Sequence, residues 1–140
     1  MTENYKIIGS FIRDMSSETP DAPTYIFVRD NISKYRLNID INSKAVKNGI
    51  IEVNTMLKFS DQPEVLKKAH FEITYTSIVK VDEKVSDKKE MEKIILCDVP
   101  NKIYPDLEKI FLNLLTDSGF PGIKLDKKIN FSELYEQKSK

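Results

Sequence analysis

The sequence is poor in the residues from which small proteins most often build reactive sites. One cysteine, Cys97, and one histidine, His70, occur among the 140 residues, and tryptophan is absent. A single cysteine cannot form an intrachain disulfide, which favours a reducing compartment. Zinc sites need several Cys and His ligands, so we expect no metal site. The four glycines are isolated, so glycine-rich phosphate loops are excluded.

No excess of charge of one sign is present either, and long apolar runs are missing. Lys and Arg together number 22, as do Asp and Glu, so the formal net charge is zero. Nucleic acids and anionic membranes reward a basic face, and we expect neither as a partner. No apolar run approaches the ~20 residues that span a bilayer, and the polar N-terminus does not resemble a signal peptide. These properties predict a single cytoplasmic domain, 1–140, without a cofactor.

The first half of the chain carries the pattern of β-strands. Apolar and polar residues alternate strictly along 35–42, 51–59 and 69–81, which places one set on a buried face. The alternation along 5–18 is imperfect, but this stretch is also predicted to be a strand. Asn48-Gly49 is a strong hairpin signal. The short links between strands predict antiparallel pairing.

The second half changes to a helical period. A helix is predicted to begin at Ser86 or Asp87 and to end at 99–101, where a proline interrupts the pattern. Apolar residues then recur every three or four positions along 104–117, which predicts a second helix that stops at Gly119. Strands followed by helices indicate an α+β fold, a four-stranded antiparallel sheet with helices on one face.

The two residues suited to nucleophilic or acid–base chemistry have simpler interpretations. His70 lies in the alternation of a strand, on the face of Glu72 and Thr74, so an exposed strand residue is favoured over a catalytic base. Cys97 lies in the apolar stripe of a helix, where a free cysteine usually acts as a small buried hydrophobe. We therefore predict no catalytic residues, and an enzyme that uses His70 remains the alternative.

Aromatic residues gather at two places outside the alternating strands. One group precedes a polar crossover near residue 25, and the other surrounds a short final helix that is predicted to begin at Asn130. Most aromatics are expected in the core, but such an arrangement can also leave an apolar groove for a peptide. The residues predicted to line this groove are Tyr25, Phe27, Phe120, Phe131, Leu134 and Tyr135.

Several short motifs, in their order and spacing, resemble the SecB family of export chaperones. The most specific are Glu18-x-Pro20-x-Ala22-Pro23 and Asn130-Phe131-x-x-Leu134-Tyr135. Between them lie Pro100-Asn101, Tyr104-Pro105 and Gly119-Phe120-Pro121, so the resemblance covers nearly the whole chain. It implies a four-stranded antiparallel sheet with helices behind it. It also implies dimers paired through strand edges, which stack through their first long helices into a homotetramer.

The resemblance also implies a function, an ATP-independent holdase. Such a protein binds unfolded precursor polypeptides in apolar grooves and delivers them to the SecA motor. The acidic positions that contact SecA in the family fall on Asp14, Glu18 and Glu72. The positions where the family packs subunits together fall on Phe71, Ile73 and Tyr75.

Two features separate this chain from the usual family pattern. Its net charge is zero where the family is usually acidic, and His70 replaces an aliphatic neighbour of the acidic positions. A SecB-like chaperone dedicated to a single partner, such as an antitoxin, therefore stays open as an alternative.

Overall fold

A computed structural model of the protein describes residues 4–61, 68–125, 131 and 133. One antiparallel sheet of four strands carries helices on one side, which confirms the predicted α+β architecture. The elements in chain order are β1 (Tyr5–Glu18), α1 (Ala22–Asn31), a 3₁₀ turn (Ile32–Lys34), β2 (Arg36–Lys47), β3 (Ile50–Ser60), β4 (His70–Val81), α2 (Lys88–Lys93), a π-helical turn (Ile94–Asp98) and α3 (Val99–Asp117).

The strands lie in the order β1-β4-β3-β2, and every neighbouring pair is antiparallel. The hairpin between β2 and β3 turns at Asn48-Gly49, and Gly49 has the positive φ of 72° that such turns require. The chain crosses from β1 to the far edge of the sheet through α1. Within the described residues, β1 pairs on one side only, so it is an edge strand.

The core lies between the sheet and a helical layer, to which α1, the π-helical turn and α3 contribute buried side chains. Leu57 and Phe59 of β3 face inwards and are at most 5% exposed, as are Leu107 and Phe111 of α3. The rings of Phe59 and Phe111 meet edge to face, with their centroids 6.1 Å apart. We call this side of the sheet the inner face and the opposite side, which no described helix covers, the outer face.

The inner face also takes up the residues that were expected between subunits. Phe71, Ile73 and Tyr75 of β4 are 1%, 0% and 9% exposed within a single chain. The rings of Phe71 and Phe120 pack edge to face, with their centroids 5.5 Å apart. The prediction that these three residues pack against another subunit is therefore wrong, because helices of the same chain already cover them.

The helix α1 was not predicted, since the sequence here suggested only a short apolar island. Asp21 caps it, and its carboxylate accepts a hydrogen bond from the Thr24 N–H at 2.8 Å. Proline in the first turn suits the start of a helix, since its missing N–H has no partner there in any case. Val28 is buried, whereas Phe27 beside it faces outwards. Tyr25 and Phe27, the first two residues predicted to line the groove, therefore lie on a helix.

The predicted helix break at Val99-Pro100-Asn101 does not occur. The chain runs from α2 through the π-helical turn directly into α3, so that α3 begins at Val99 rather than at Tyr104. Pro100 has no N–H to donate, and the Val99 N–H reaches back to the Ile94 carbonyl, five residues earlier. The wider turn places the proline in the first turn of α3, where it is tolerated.

The C-terminus of α3 lies where it was predicted. Gly119 follows the last turn with a φ of 101°, and its N–H donates to the Thr116 carbonyl at 3.1 Å. The Phe120 N–H donates to the Leu115 carbonyl at 2.9 Å, which completes a Schellman motif. This motif turns the chain so that Phe120 is buried beneath α1.

Candidate functional site

The three acidic residues predicted to contact SecA lie together on the outer face. Asp14 of β1 stands opposite Thr74, and Glu18 stands opposite His70. Glu72 lies between these two positions on β4 and forms an ion pair with Lys58 at 3.7 Å. Asp14 and Glu18 are exposed, and neither forms an ion pair with any residue that the structure describes. This end of the outer face therefore presents two uncompensated carboxylates.

A chain of polar contacts crosses the middle of the outer face, and we call it the polar belt. Arg13 of β1 donates to the Thr76 hydroxyl at 2.9 Å, and that hydroxyl donates to the Asn54 side-chain oxygen at 2.6 Å. The Asn54 amide donates to Asn42 on β2 and to Glu52. The belt therefore links all four strands.

Charge is balanced within the polar belt. Arg13 forms an ion pair with Glu52 at 2.9 Å. Hydrogen bonding from Asn54, and then the positive charge of Arg13, hold the pKa of Glu52 below its usual range. Thr76 is fully buried and Asn54 nearly so, which is unusual for polar residues on the open face of a sheet. The hydrogen bonds offset the cost of burying them.

Sequence reasoning missed the polar belt because β-bulges are not visible in a simple alternation. The pairing of β1 with β4 shifts register between Ile7 and Gly9 and again between Ile12 and Asp14. The second shift turns Arg13 towards the outer face, where it reaches Thr76. The imperfect alternation along 5–18 was the available signal.

The unpaired edge of the sheet is apolar. Within the described residues, β1 carries four of the large hydrophobic side chains that are more than two-fifths exposed: Ile8, Phe11, Ile12 and Met15. The backbone along this edge lacks a neighbouring strand. An exposed apolar edge strand invites pairing with another polypeptide.

The predicted groove residues do not line one groove. Phe120 is 3% exposed and packs against Tyr25, with the ring centroids 5.2 Å apart. Phe131 is fully buried, and its ring packs against that of Tyr104 with the centroids 5.6 Å apart. Phe120 and Phe131 therefore belong to the core, and their assignment to an open groove is wrong. Leu134 and Tyr135 lie outside the described residues.

Phe27 is the exception among these residues, because it remains exposed. It lines a surface depression of about 500 Å³ at the C-terminal end of α1. Ile26, the preceding residue, is 51% exposed. The other residues around the depression are Asn31, Ser33, Lys34, Tyr35, Arg36 and Asp61. The floor is thus part aromatic and part charged.

His70 and Cys97 lie in different layers of the fold and do not form a pair of nucleophile and base. His70 is exposed on the outer face, whereas Cys97 is buried in the helical layer, where its sulfur accepts a hydrogen bond from Asn101. Among the residues that the structure describes, no group of three or more His, Cys, Asp or Glu side chains could hold a metal ion. In the same part of the chain, no helix combines the length and apolarity that crossing a membrane requires.

The fold and its surfaces define an α+β sheet protein with an apolar edge and apolar patches that suit contacts with other polypeptides. A family model described as preprotein translocase subunit SecB matches residues 1–140. The chain belongs to the SecB family of protein-export chaperones.

Relatives with related names agree with this assignment. The chain is 88% identical over 139 residues to the putative protein-export protein SecB of Pelagibacter ubique, and the match covers 99% of both chains. It is 27% identical to the protein-export protein SecB of Rickettsia akari, covering 93% of this chain and 84% of that one. The corresponding protein of Parvibaculum lavamentivorans is 26% identical, covering 95% of this chain and 77% of the other.

A solved structure supports the fold independently. The SecB-like chaperone of Mycobacterium tuberculosis, in complex with a peptide from the HigA1 antitoxin, superimposes with a TM-score of 0.66. The match covers 89% of this chain and 91% of that chain at 13% sequence identity. At this identity the comparison establishes the shared architecture of sheet and helices.

Proposed function

We propose that the protein is an ATP-independent holdase of the cytoplasm that binds unfolded precursor polypeptides and delivers them to SecA. Its family membership supports the export role. The structural observation that carries the proposal is the apolar surface left uncovered on α1, where Ile26 and Phe27 are exposed. Contacts of this kind hold extended chains through many weak apolar interactions, without sequence specificity. No bond is made or broken in this activity.

The proposal includes assembly into a homotetramer, a dimer of dimers. Pairing of two β1 edges would cover Ile8, Phe11, Ile12 and Met15 and satisfy the free backbone groups of both strands. The helical layer would form the second contact, because part of its apolar surface remains uncovered by the sheet. Ile95, Ile110 and Leu114 are each partly exposed there. These contacts replace the interface that had been assigned to β4.

The client surface is proposed to centre on α1 rather than on the aromatic residues of the core. Phe27 and Ile26 are exposed side by side, and the depression next to them could hold an apolar side chain of an extended polypeptide. Binding there would not require Phe120 or Phe131 to leave the core. Several such sites on one tetramer would raise avidity for a long unfolded chain.

The SecA contact is proposed for the acidic end of the outer face. Asp14 and Glu18 carry uncompensated charge, whereas Glu72 shares its charge with Lys58. We therefore expect Glu18 and Asp14 to contribute more to SecA binding than Glu72. Complementary charge at such a surface mainly speeds association and fixes orientation.

Client binding is tested by the mass of the protein in solution with and without a urea-denatured secretory precursor. The wild-type protein should form a complex with the precursor, and Phe27→Asp should weaken it, because a charged side chain would replace the exposed aromatic ring that contacts the client. Ala22→Asp is the matched control, since it adds the same charge to an exposed site on α1 outside the depression. A protein that stays free of denatured precursor would contradict the holdase function.

Delivery is tested separately by calorimetry with purified SecA. Glu18→Lys should weaken SecA binding and leave client binding intact. Asp40→Lys makes the same charge reversal on the outer face of β2, at the far edge of the sheet, and should have little effect. Equal SecA affinity in the wild-type and Glu18→Lys proteins would remove Glu18 from the contact.

A chaperone dedicated to one partner is the second candidate, favoured by the antitoxin peptide bound to the Mycobacterium tuberculosis structure. Affinity purification from the native cell distinguishes the two. Recovery of many precursors supports export, and recovery of one small partner supports the dedicated role.

A further inference from the structure

The outer face carries lysines at the end opposite to the proposed SecA contact. Lys6 of β1 stands opposite Lys80 of β4, which in turn stands opposite Ile50 of β3. Ile50 stands opposite Lys47 of β2. Residues that stand opposite each other in a sheet share a face, so these side chains lie side by side, and we call the three lysines the lysine row. All three are exposed, and none forms an ion pair with a residue that the structure describes.

The charged side chains next to the lysine row, on the outer face and in the loop after β4, balance one another. Arg13 pairs with Glu52 at 2.9 Å, and Lys44 stands opposite Glu52 on β2. These three groups carry one positive charge in excess. The loop 82–84 carries two carboxylates and one lysine, which is one negative charge in excess. Within the described part of the chain, the lysine row is therefore left as uncompensated positive charge.

The lysine row and the proposed SecA contact lie far apart on the same face. Asp14, Glu18 and Glu72, which we call the acidic end, are near the C-terminus of β1. Glu72 and Lys80 lie eight residues apart on β4, which is roughly 27 Å at the usual rise per residue. Screening at physiological salt acts over about 8 Å, so the two ends do not neutralise each other. A partner that spans the outer face therefore meets charges of both signs.

This charge pattern selects a protein surface as the partner rather than a polyanion. A membrane or a nucleic acid presents negative charge throughout, so the acidic end would repel it from the outer face. A protein can present a basic patch to the acidic end and an acidic segment to the lysine row. A standard interface covers about 800 Å² per partner, roughly 30 Å across, so one protein can reach both ends. Ile50 and Ile78 are partly exposed beside the lysines and add apolar area to such a contact.

We propose that the lysine row binds an acidic segment of SecA and acts together with the acidic end to fix one orientation of SecA on the outer face. This inference rests on the SecA contact in the proposed function and adds a second point to it. Turning the partner by 180° on the face would bring like charges together at both ends. The two points of opposite charge therefore exclude the reversed orientation.

The experiment measures the affinity for SecA by calorimetry, with Lys47→Glu/Lys80→Glu as the variant. Binding should weaken about fivefold, because two exposed ion pairs are replaced by repulsion. A contact made by the acidic end alone requires the opposite change, since two added carboxylates would strengthen the attraction of the face for a basic partner. The sign of the change thus distinguishes the two contacts. Lys6 is left unaltered, because the proposed dimer covers the β1 edge.

Two further variants control for net charge and for folding. Lys88→Glu/Lys124→Glu makes the same change in net charge at exposed sites on α2 and after α3, outside the sheet, and should leave the affinity for SecA unchanged. Lys47→Gln/Lys80→Gln removes the two charges without adding new ones and should weaken binding about twofold. Urea midpoints show that each variant is folded as the wild type is, since all the replaced side chains are exposed.

Chemical coupling of amines to carboxylates locates the contact directly. A zero-length carbodiimide reagent, applied to the complex, should join Lys47 or Lys80 to aspartate or glutamate residues of SecA, and mass spectrometry after proteolysis identifies the linked peptides. Links to SecA from other lysines, with none from Lys47 or Lys80, would contradict the proposed contact.

The outcomes separate this inference from the proposed function. Unchanged or tighter SecA binding by Lys47→Glu/Lys80→Glu would overturn the role of the lysine row and leave the contact at the acidic end intact. If the wild type binds phosphatidylglycerol vesicles, and this variant loses that binding but not its affinity for SecA, the row belongs to a membrane contact instead. A wild-type protein without measurable affinity for SecA would remove the SecA contact itself, and with it both statements.

Discussion

The Tyr25 hydroxyl donates a hydrogen bond to the Gly119 carbonyl at 2.8 Å, and this contact joins α1 to the end of α3. The approach is so close that a Cβ at Gly119 would lie 2.7 Å from the Tyr25 ring. Tyr25 also packs on Phe120, which in turn contacts Phe71 of β4. The contact with Gly119 therefore helps to hold the helix that carries the proposed client surface against the core.

We expect Gly119→Ala to destabilise the protein by about 2 to 3 kcal/mol. The φ of 101° is strained for any residue with a Cβ, and the added methyl group meets the Tyr25 ring. Gly122→Ala is the control, because its φ is 79° but nothing lies within 4 Å of the added Cβ. It should cost about 1 kcal/mol. Equal urea midpoints for the two variants would show that contact with Tyr25 is unimportant.

Thr76→Val should cost about 1 to 3 kcal/mol, because it removes the hydroxyl that joins Arg13 to Asn54 and takes away the donor to the buried Asn54 side-chain oxygen. Thr74→Val is on the same face of the same strand, is partly exposed, and lies outside the polar belt. Its effect on the free energy of unfolding should stay within about 0.5 kcal/mol. If both substitutions have the same small effect in urea, the belt does not stabilise the sheet.

Phe131→Ala should lower the free energy of unfolding by about 3 to 5 kcal/mol, as expected for a fully buried phenylalanine. Phe27→Ala should change it by less than about 1 kcal/mol, because Phe27 is on the surface. Client capture, measured at a temperature where both variants are folded, should fall only for Phe27→Ala. Loss of capture in folded Phe131→Ala would return Phe131 to the client site.

Stability should decrease at alkaline pH in a way that depends on Tyr104. Burial, reinforced by the nearby Glu108 carboxylate, raises the pKa of Tyr104 to about 12, above the ordinary value of 10. The unfolded chain therefore loses this proton first, and the folded state is disfavoured as the pH rises from 10 towards 12. In urea titrations at pH 8 to 11, Tyr104→Phe should show a shallower decline than the wild type. Parallel declines would contradict the raised pKa.

The strands and their pairing could be predicted because alternation and hairpin turns are local signals. The prediction failed where a local pattern has two tertiary explanations. An alternating apolar face such as Phe71, Ile73 and Tyr75 requires a cover, but the pattern does not say whether a helix of the same chain or a second subunit provides it. The same ambiguity led Phe120 and Phe131 to be placed in a groove.

Other predictions failed because local irregularities of the backbone, which the sequence pattern does not reveal, changed the expected structure. Pro100 signals a helix end, and only the wider π turn before it allows the helix to continue. The helix α1 buries only Thr24 and Val28, so it lacks the repeated apolar spacing by which helices are recognised. Arg13 reaches the polar belt only because of a bulge.

The two bulges of β1 also help to explain how a protein with an apolar, unpaired sheet edge avoids open-ended aggregation. A strand with bulges near Ile8 and Arg13 is neither flat nor regular, so an arbitrary extended segment cannot form backbone hydrogen bonds along its full length. Only a chain with the same interruptions matches it from end to end. When two such edges pair, neither has unpaired backbone left, so no further chain can add to them and a fibre cannot grow.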